Sequence, residues 1–194
     1  MKKMVFTAFL SICFCLMATA QQTDFQKSVA RYKKSHHITA TVTKTVHKKA
    51  ITKDAVDKGT LTMNQPAEVC ISCNEGKDQL IMQGSQFTMI IKGRKHTTNS
   101  QTNPQFASFQ TVFESILAGG DKDISKLTDL TMTKQNGLLI LTITPQAKSK
   151  KAARRMLFSS FVLTIDTRTS ELRTLRMNDR AGYTEYTFSN YTFK

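Results

Sequence analysis

From Ile38 to Val46 the chain alternates. Ile38, Ala40, Val42 and Val46 take one side, and Thr39, Thr41, Thr43 and Thr45 take the other. Successive side chains of a strand point to opposite faces, so this is a strand buried on one side, with β-branched threonines on its other face. The pattern recurs. Leu61 and Met63 carry it to Pro66, Ala67, Val69, Ile71 and Cys73 repeat it, and Asn74-Glu75-Gly76 turns. Leu80–Gln83 and Phe87–Lys92 follow across Gly84, with Phe87, Met89 and Ile91 on one face. Further on, Asp129–Lys134 and Leu138–Thr144 flank Asn136-Gly137, a strong hairpin signal. Met156–Asp166, with Phe161, Leu163 and Ile165 alternating, then Glu171–Asn178 and Tyr183–Phe193 complete about ten predicted strands. The polar stretch His47–Lys58 reads as a loop or a loosely paired hairpin end, Gly93 and the polar stretch to Asn103 close the meander, and Pro145–Arg155 reads as a basic loop.

Two segments change period. In Thr23–Lys34, Phe25, Val29 and Tyr32 share a helical face, and Thr23 with Gln26 fits a capping box. In Pro104–Ala118 the spacings of three and four carried by Phe106, Phe109, Val112, Phe113, Ile116 and Leu117 predict an amphipathic helix. Asn103 suits its N-cap and Gly119-Gly120 its end. Asp121–Leu127 suggests one more helical turn. A curved sheet of this many strands has an inner face to fill, and the phenylalanine-rich helix is long enough to cover it. An ordinary core of sheet and helix accounts for the same residues, including the adaptable Met63, Met82 and Met89. The fold class is mainly β (α+β), in one domain with neither linker nor repeat.

The first twenty residues have the parts of an export signal: Lys2 and Lys3, an apolar Met4–Met17, and the small-x-small Ala18-Thr19-Ala20. Cleavage is expected after Ala20, leaving 21–194 as the domain; the competing reading is a retained anchor. Cys13 and Cys15 sit inside the apolar run behind Ile12 and Phe14, so a lipid-attachment cysteine is not expected. Loss of Lys2 and Lys3 leaves 26 cations against 14 acids, a charge of +12. At 40% apolar residues the chain is no disordered polycation. Export argues against nucleic acid as the partner of this charge, and the aromatics lie on strand faces rather than among the cations. The densest cations are Lys148, Lys150, Lys151, Arg154 and Arg155, followed by Met156-Leu157-Phe158. That sequence suits an anionic bilayer surface or a partner protein as well as a solvated loop.

Catalytic patterns are missing from the sequence. There is no Gly-x-Ser-x-Gly turn, no HExxH, no phosphate-cradling loop and no dinucleotide fingerprint. A hydrolase of another type would have to use Ser85 or His96, and no turnover is expected. No metal or cofactor is expected either: His36, His37, His47 and His96 are scattered. Cys70 and Cys73 admit four readings: a redox pair, a zinc half-site, a local disulfide, or two thiols without chemistry. Residues i and i+3 of an extended strand stand about 10 Å apart, so a disulfide would need a turn at Ile71-Ser72.

Read in order from Phe25 to Phe193, these elements resemble the LolA/LolB-like family of periplasmic lipoprotein carriers. The pieces that carry the resemblance are the opening helix, Ile38–Val46, Gly59-Thr-Leu-Thr-Met-Asn-Gln-Pro66 and Gly84-Ser-Gln-Phe-Thr-Met-Ile-Ile91. The phenylalanine-rich helix, Phe161-Val-Leu-Thr-Ile-Asp166 and Asn178-Asp-Arg-Ala-Gly-Tyr-Thr-Glu-Tyr-Thr-Phe188 complete it. The resemblance implies an incomplete β-barrel, its open side covered by helices, whose cavity holds the acyl chains of lipoproteins. It also implies partners: acylated lipoproteins, an inner-membrane ABC release complex and an outer-membrane acceptor, with no bond made or broken. Two features depart from the family. Asn64-Gln65 precedes Pro66 where carriers of this family have an arginine, and the chain stops at Lys194 without their extra C-terminal segment.

The expectation is therefore a monomeric periplasmic carrier that is not an enzyme. Its cavity wall is Leu61, Met63, Val69, Ile71, Phe87, Met89, Ile91, Phe161, Leu163 and Ile165. Its lid is Phe106, Phe109, Val112, Phe113 and Ile116, and Lys148, Lys150, Lys151, Arg154 and Arg155 make transient contact with membrane or partner. The alternatives are a carrier of another amphiphile, such as a glycolipid or long-chain pigment, and an envelope scaffold module with a filled core.

Overall fold

A computed structural model describes residues 21–101, 103–147 and 149–194. The expected leader with its cleavage site, Lys148 and the side chain of Arg155 lie outside the described residues.

Residues 21–29 form α1, continued by a 3-10 turn at Ala30–Lys34. Six strands follow: β1 (His37–Lys48), β2 (Ala55–Asn64), β3 (Glu68–Cys73), β4 (Asp78–Gln83), β5 (Gln86–Ile91) and β6 (Arg94–Asn99). A 3-10 turn at Pro104–Phe106 leads into α2 (Ala107–Leu117). Then come β7 (Leu130–Gln135), β8 (Leu138–Ile143), α3 (Lys150–Arg155), β9 (Ser160–Asp166), β10 (Glu171–Asn178) and β11 (Gly182–Phe193). The eleven strands make one sheet in the order β6-β5-β4-β3-β2-β1-β11-β10-β9-β8-β7, antiparallel throughout. The two wings meet at β1 and β11, and β6 and β7 are its edges.

The sheet is strongly curved. β5 and β9 stand seven places apart in the strand order, about 34 Å in a flat sheet at ~4.8 Å per strand. Yet the ring of Phe109 in α2 is stacked 4.4 Å from Phe161 of β9 and meets Phe87 of β5 edge-on at 6.0 Å. One helix side chain touches both wings, so the sheet wraps α2 as an incomplete barrel. Gly59 lets β3 lie close: a Cβ there would stand 2.0 Å from the Ser72 carbonyl oxygen and 2.7 Å from Cys73 Sγ.

The observed elements correct the expectations in five places. The polar stretch expected to close the meander contains β6, whose residues Arg94–Asn99 have no apolar alternation because it is an edge, held by backbone pairing from Gln86–Asn99 to Ile91–Arg94 and by polar side-chain bonds such as Thr88–Thr97 at 3.1 Å. α3 replaces part of the expected basic loop. The strand expected from Met156 begins at Ser160, because the amides of Leu157 and Phe158 donate to the buried Gln105 Oε1 at 3.1 and 3.5 Å. Neither helix has its expected cap: Thr23 lies inside α1, which is already formed at Gln21, and the Asn103 Oδ1 accepts from Gln105 Nε2 instead. Of the helical turn expected at Asp121–Leu127 only a single bonded turn forms, Leu127 N–H donating to the Ile124 carbonyl at 3.2 Å, since Asp123 Oδ1 takes the Ser125 amide and hydroxyl at 2.9 and 2.6 Å, a local bond that competes with helix.

Candidate functional site

The inner face of the sheet has a roofed part and an open part. Under the helices lie Leu61, Met63, Val69, Ile71, Phe87, Phe161, Leu163 and Ile165, eight of the ten expected wall residues, each at most 3% exposed. The five expected lid residues are equally buried. Phe106 stacks on Phe87 at 4.3 Å, and Phe109 meets Phe113 at 5.0 Å. The structure therefore brings the expected wall and lid together as one packed core.

Polar contacts fasten this roof. Gln65 Nε2 donates to the Leu117 carbonyl at the end of α2 and, at 3.3 Å, to the Tyr32 carbonyl after α1. The position where carriers of the resembled family have an arginine thus holds both helices without a charge. Gly119 and Gly120 end α2 with φ of 65° and 87°. They also let α1 approach, since a Cβ at Gly120 would stand 2.7 Å from the Gln26 Cα.

Beyond the roof the same face opens into a groove of two lobes, each of about 420 Å³, within the usual range for ligand sites. Both lobes are lined by Lys44, Val46, Lys48, Asp78 and Ile91. The first adds Met89, Leu157, Phe158, Met177, Asp179 and Tyr186; the second adds Ile51, Lys53, Ala55, Asp57 and Lys92. Only Met89 and Ile91 of the expected wall line this groove, and Ile91 is 46% exposed at its rim with Ile51 and Leu157.

The groove residues come from strand parity. The alternation that turns Val42 inward turns Lys44 inward too, and the register sets Lys44 beside Asp57 of β2 and Tyr186 of β11. Cys73 of β3 pairs with Asp78 of β4 on the same face. Lys44 Nζ reaches Asp78 Oδ2 at 2.6 Å and Asp57 Oδ2 at 3.8 Å, with both Lys44 and Asp78 almost wholly buried. Burial opposes the charge on Asp78, but the Lys44 ammonium and the Lys92 amide, 2.7 Å from Oδ1, more than offset it and hold the carboxyl below its ordinary value. Lys48 pairs with Asp179 at 2.7 Å. Burial pushes the Tyr186 phenol up, so it stays neutral. The lysine on an apolar strand face was the signal in the sequence that could have found this site.

The basic segment stands beside the groove. α3 precedes Leu157 and Phe158, and Arg180 donates to its Ala153 carbonyl at 2.8 Å. Lys150, Lys151 and Arg154 are exposed. A depression of about 390 Å³ under α3 shares Leu157 and Phe158 with the first lobe. Cys70 and Cys73 are free and belong to an unbroken strand, so the turn a disulfide would need is not there. Burial raises both thiols, Cys73 to about 11, away from a reactive thiolate. Among the described residues, no three His, Cys, Asp or Glu side chains gather as a metal site, and no helix is long and apolar enough to cross a membrane.

No protein-family model matches the chain, and no curated protein matches it in sequence. Among solved structures it is similar to the lipoprotein LppX of Mycobacterium tuberculosis, at 14% identity and a TM-score of 0.38, covering 89% of this chain and 95% of that one. It is similar to a LolA superfamily protein of Nitrosomonas europaea, at 8% identity and a TM-score of 0.39 over 89% and 93%. It is similar to LprF of Mycobacterium bovis, at 13% identity and a TM-score of 0.35 over 89% and 93%. The likeness is one of fold alone.

Proposed function

We propose that this protein is a periplasmic carrier that takes the acyl chains of lipoproteins against the inner face of its sheet and shuttles them from inner to outer membrane. The observation that supports this reading is the position of Phe158. Its side chain lines the open groove, and its ring lies 6.2 Å from Phe106 of the roof and 5.3 Å from Phe161 of the floor. The groove therefore ends on the seam between helix and sheet, and a hydrocarbon chain in it can extend along that seam by displacing α2.

The energies allow such an exchange. Burying a sixteen-carbon chain gains roughly 13 kcal/mol at ~0.8 kcal/mol per methylene. The five lid side chains gain roughly 8–15 kcal/mol at about 1.5–3 kcal/mol each. Cargo can thus replace the helix at little net cost, and release requires only an acceptor that binds the chains better. No bond is made or broken. The partners are those the sequence resemblance implies: an inner-membrane ABC release complex and an outer-membrane acceptor. Lys150, Lys151 and Arg154 meet the membrane or partner surface beside the groove mouth, each cation worth up to ~1 kcal/mol near anionic lipid, and the sequence pattern assigns Lys148 and Arg155 to the same contact.

The test is co-purification of the exported protein with a triacylated lipoprotein. Wild type is expected to retain it and Phe109→Asp to lose it. Equal retention, or none by a folded wild type, would refute the reading.

A further inference from the structure

We infer that the groove selects amphiphiles with an anionic head group, laying the head on Lys53 and Lys92 and the hydrocarbon toward Met89, Leu157 and Met177. The inference rests on the carrier reading only in that the groove takes hydrocarbon chains, and it adds a preference for an anionic head group.

Charge is divided unevenly between the two lobes. The first contains Lys44 and Lys48 with Asp78 and Asp179, and each cation has its acid at 2.6 or 2.7 Å, so its charges cancel within the wall. What remains there is mostly apolar, with Gln79, His96, Thr184 and the Tyr186 phenol as its other polar groups. The second lobe shares Lys44, Lys48 and Asp78, and adds Lys53, Lys92 and Asp57. Asp57 also faces Lys44 at 3.8 Å, so one buried ammonium stands against two carboxylates and leaves a single negative charge, which Lys53 and Lys92 together exceed by one. Among the described residues neither the Lys53 nor the Lys92 ammonium lies within ion-pair or hydrogen-bond distance of an acid, the Lys92 charge acts on Asp78 only from farther off, and both residues are exposed at the lobe's edge.

The groove thus has a charge-balanced half and a half whose cations exceed its carboxylates by one, joined across the Lys44–Asp78 pair. A single-chain molecule with a carboxylate or phosphate at one end complements both halves at once. A quaternary ammonium head would meet the two lysines as a like charge, and an alcohol would leave them unused. A free anion gains nothing from the apolar half and should bind poorly on its own.

The test uses the full exported chain, with displacement of a fluorescent fatty-acid probe by hexadecanoate, hexadecyl phosphate, hexadecanol, hexadecyltrimethylammonium and inorganic phosphate. The two anionic amphiphiles are expected to bind about tenfold more tightly than hexadecanol, the cationic one more weakly than hexadecanol, and inorganic phosphate not to displace the probe. The double variant Lys53→Glu/Lys92→Glu, altered only at the exposed rim, should lose the anionic preference and keep its affinity for hexadecanol. Equal affinity for all head groups, an unchanged preference in the variant, or displacement by inorganic phosphate alone would overturn the inference while leaving the carrier reading in place. Binding of none of the amphiphiles would overturn both.

Discussion

Lys44 and Asp78 form an ion pair at 2.6 Å on the sheet face whose neighbouring positions are Val42 and Leu80, and the pair is the boundary between the two lobes of the groove. A buried charge that loses its partner costs about 3–5 kcal/mol, whereas an apolar pair of similar volume can be neutral. Lys44→Ala is therefore expected to lower unfolding stability in urea by about that amount, and Lys44→Met combined with Asp78→Leu to recover most of it. A Lys44→Ala protein as stable as wild type would show that the pair contributes only at the surface level.

The same carboxylate makes stability depend on acid. Asp78, Asp166 and Asp179 are each held below the ordinary aspartate value. In each, burial opposes the charge and is outweighed by a cationic partner (Lys44, Arg173 and Lys48 respectively) together with backbone amides. A pKa lower in the folded than in the unfolded chain gives stability that is complete above the unfolded value, near pH 4, and is lost as pH falls through the folded one. Thermal melts should be nearly flat in this respect between pH 7 and about 5, and fall progressively below about pH 4. Asp78→Asn should flatten part of that fall; an unchanged slope would remove Asp78 from the linkage.

Gln65 gives a separate handle on the roof. Its amide binds the Leu117 and Tyr32 carbonyls, so Gln65→Ala leaves both without this donor, at a cost of about 1–2 kcal/mol. Because the bond exists only while α2 and α1 are seated, its loss should speed uptake of a fluorescent fatty acid in stopped flow. Unaltered uptake with reduced stability would make Gln65 purely structural.

The two wings and the covering helix α2 were legible because their residues obey a period: Ile38–Val46 and Phe161–Ile165 alternate, and Phe106–Leu117 repeats at three and four. β6 was not, because an edge strand is held by its backbone and needs no apolar side chains. The groove was half legible. Met89 and Ile91 follow from alternation, and Lys44 occupies an inward position by the same parity although its charge masks it in the pattern. Its partner Asp78 precedes Leu80 by two, which places it inward as well. Parity predicts where a side chain points; only the register between β1, β2 and β4 could tell that Lys44, Asp57 and Asp78 meet. That the wall and lid fill one another, leaving the open groove at the far end, depends on the curvature of the whole sheet, a long-range property that no local pattern carries.

Phe158 decides whether the open groove and the roofed core are one site. Its ring is 7% exposed and separates the first lobe from Phe106 and Phe161. Phe158→Ala removes that partition. Truncating a buried phenylalanine costs about 3–5 kcal/mol, so the melting temperature should fall. The space released joins the groove to the helix–sheet seam, so affinity for a sixteen-carbon fatty acid should rise while that for an eight-carbon one, short enough for the open lobe alone, should stay the same. Isothermal titration with the two chains checks this directly. A parallel loss of affinity for both would mean that Phe158 is part of the wall that grips the ligand, and that the groove ends there.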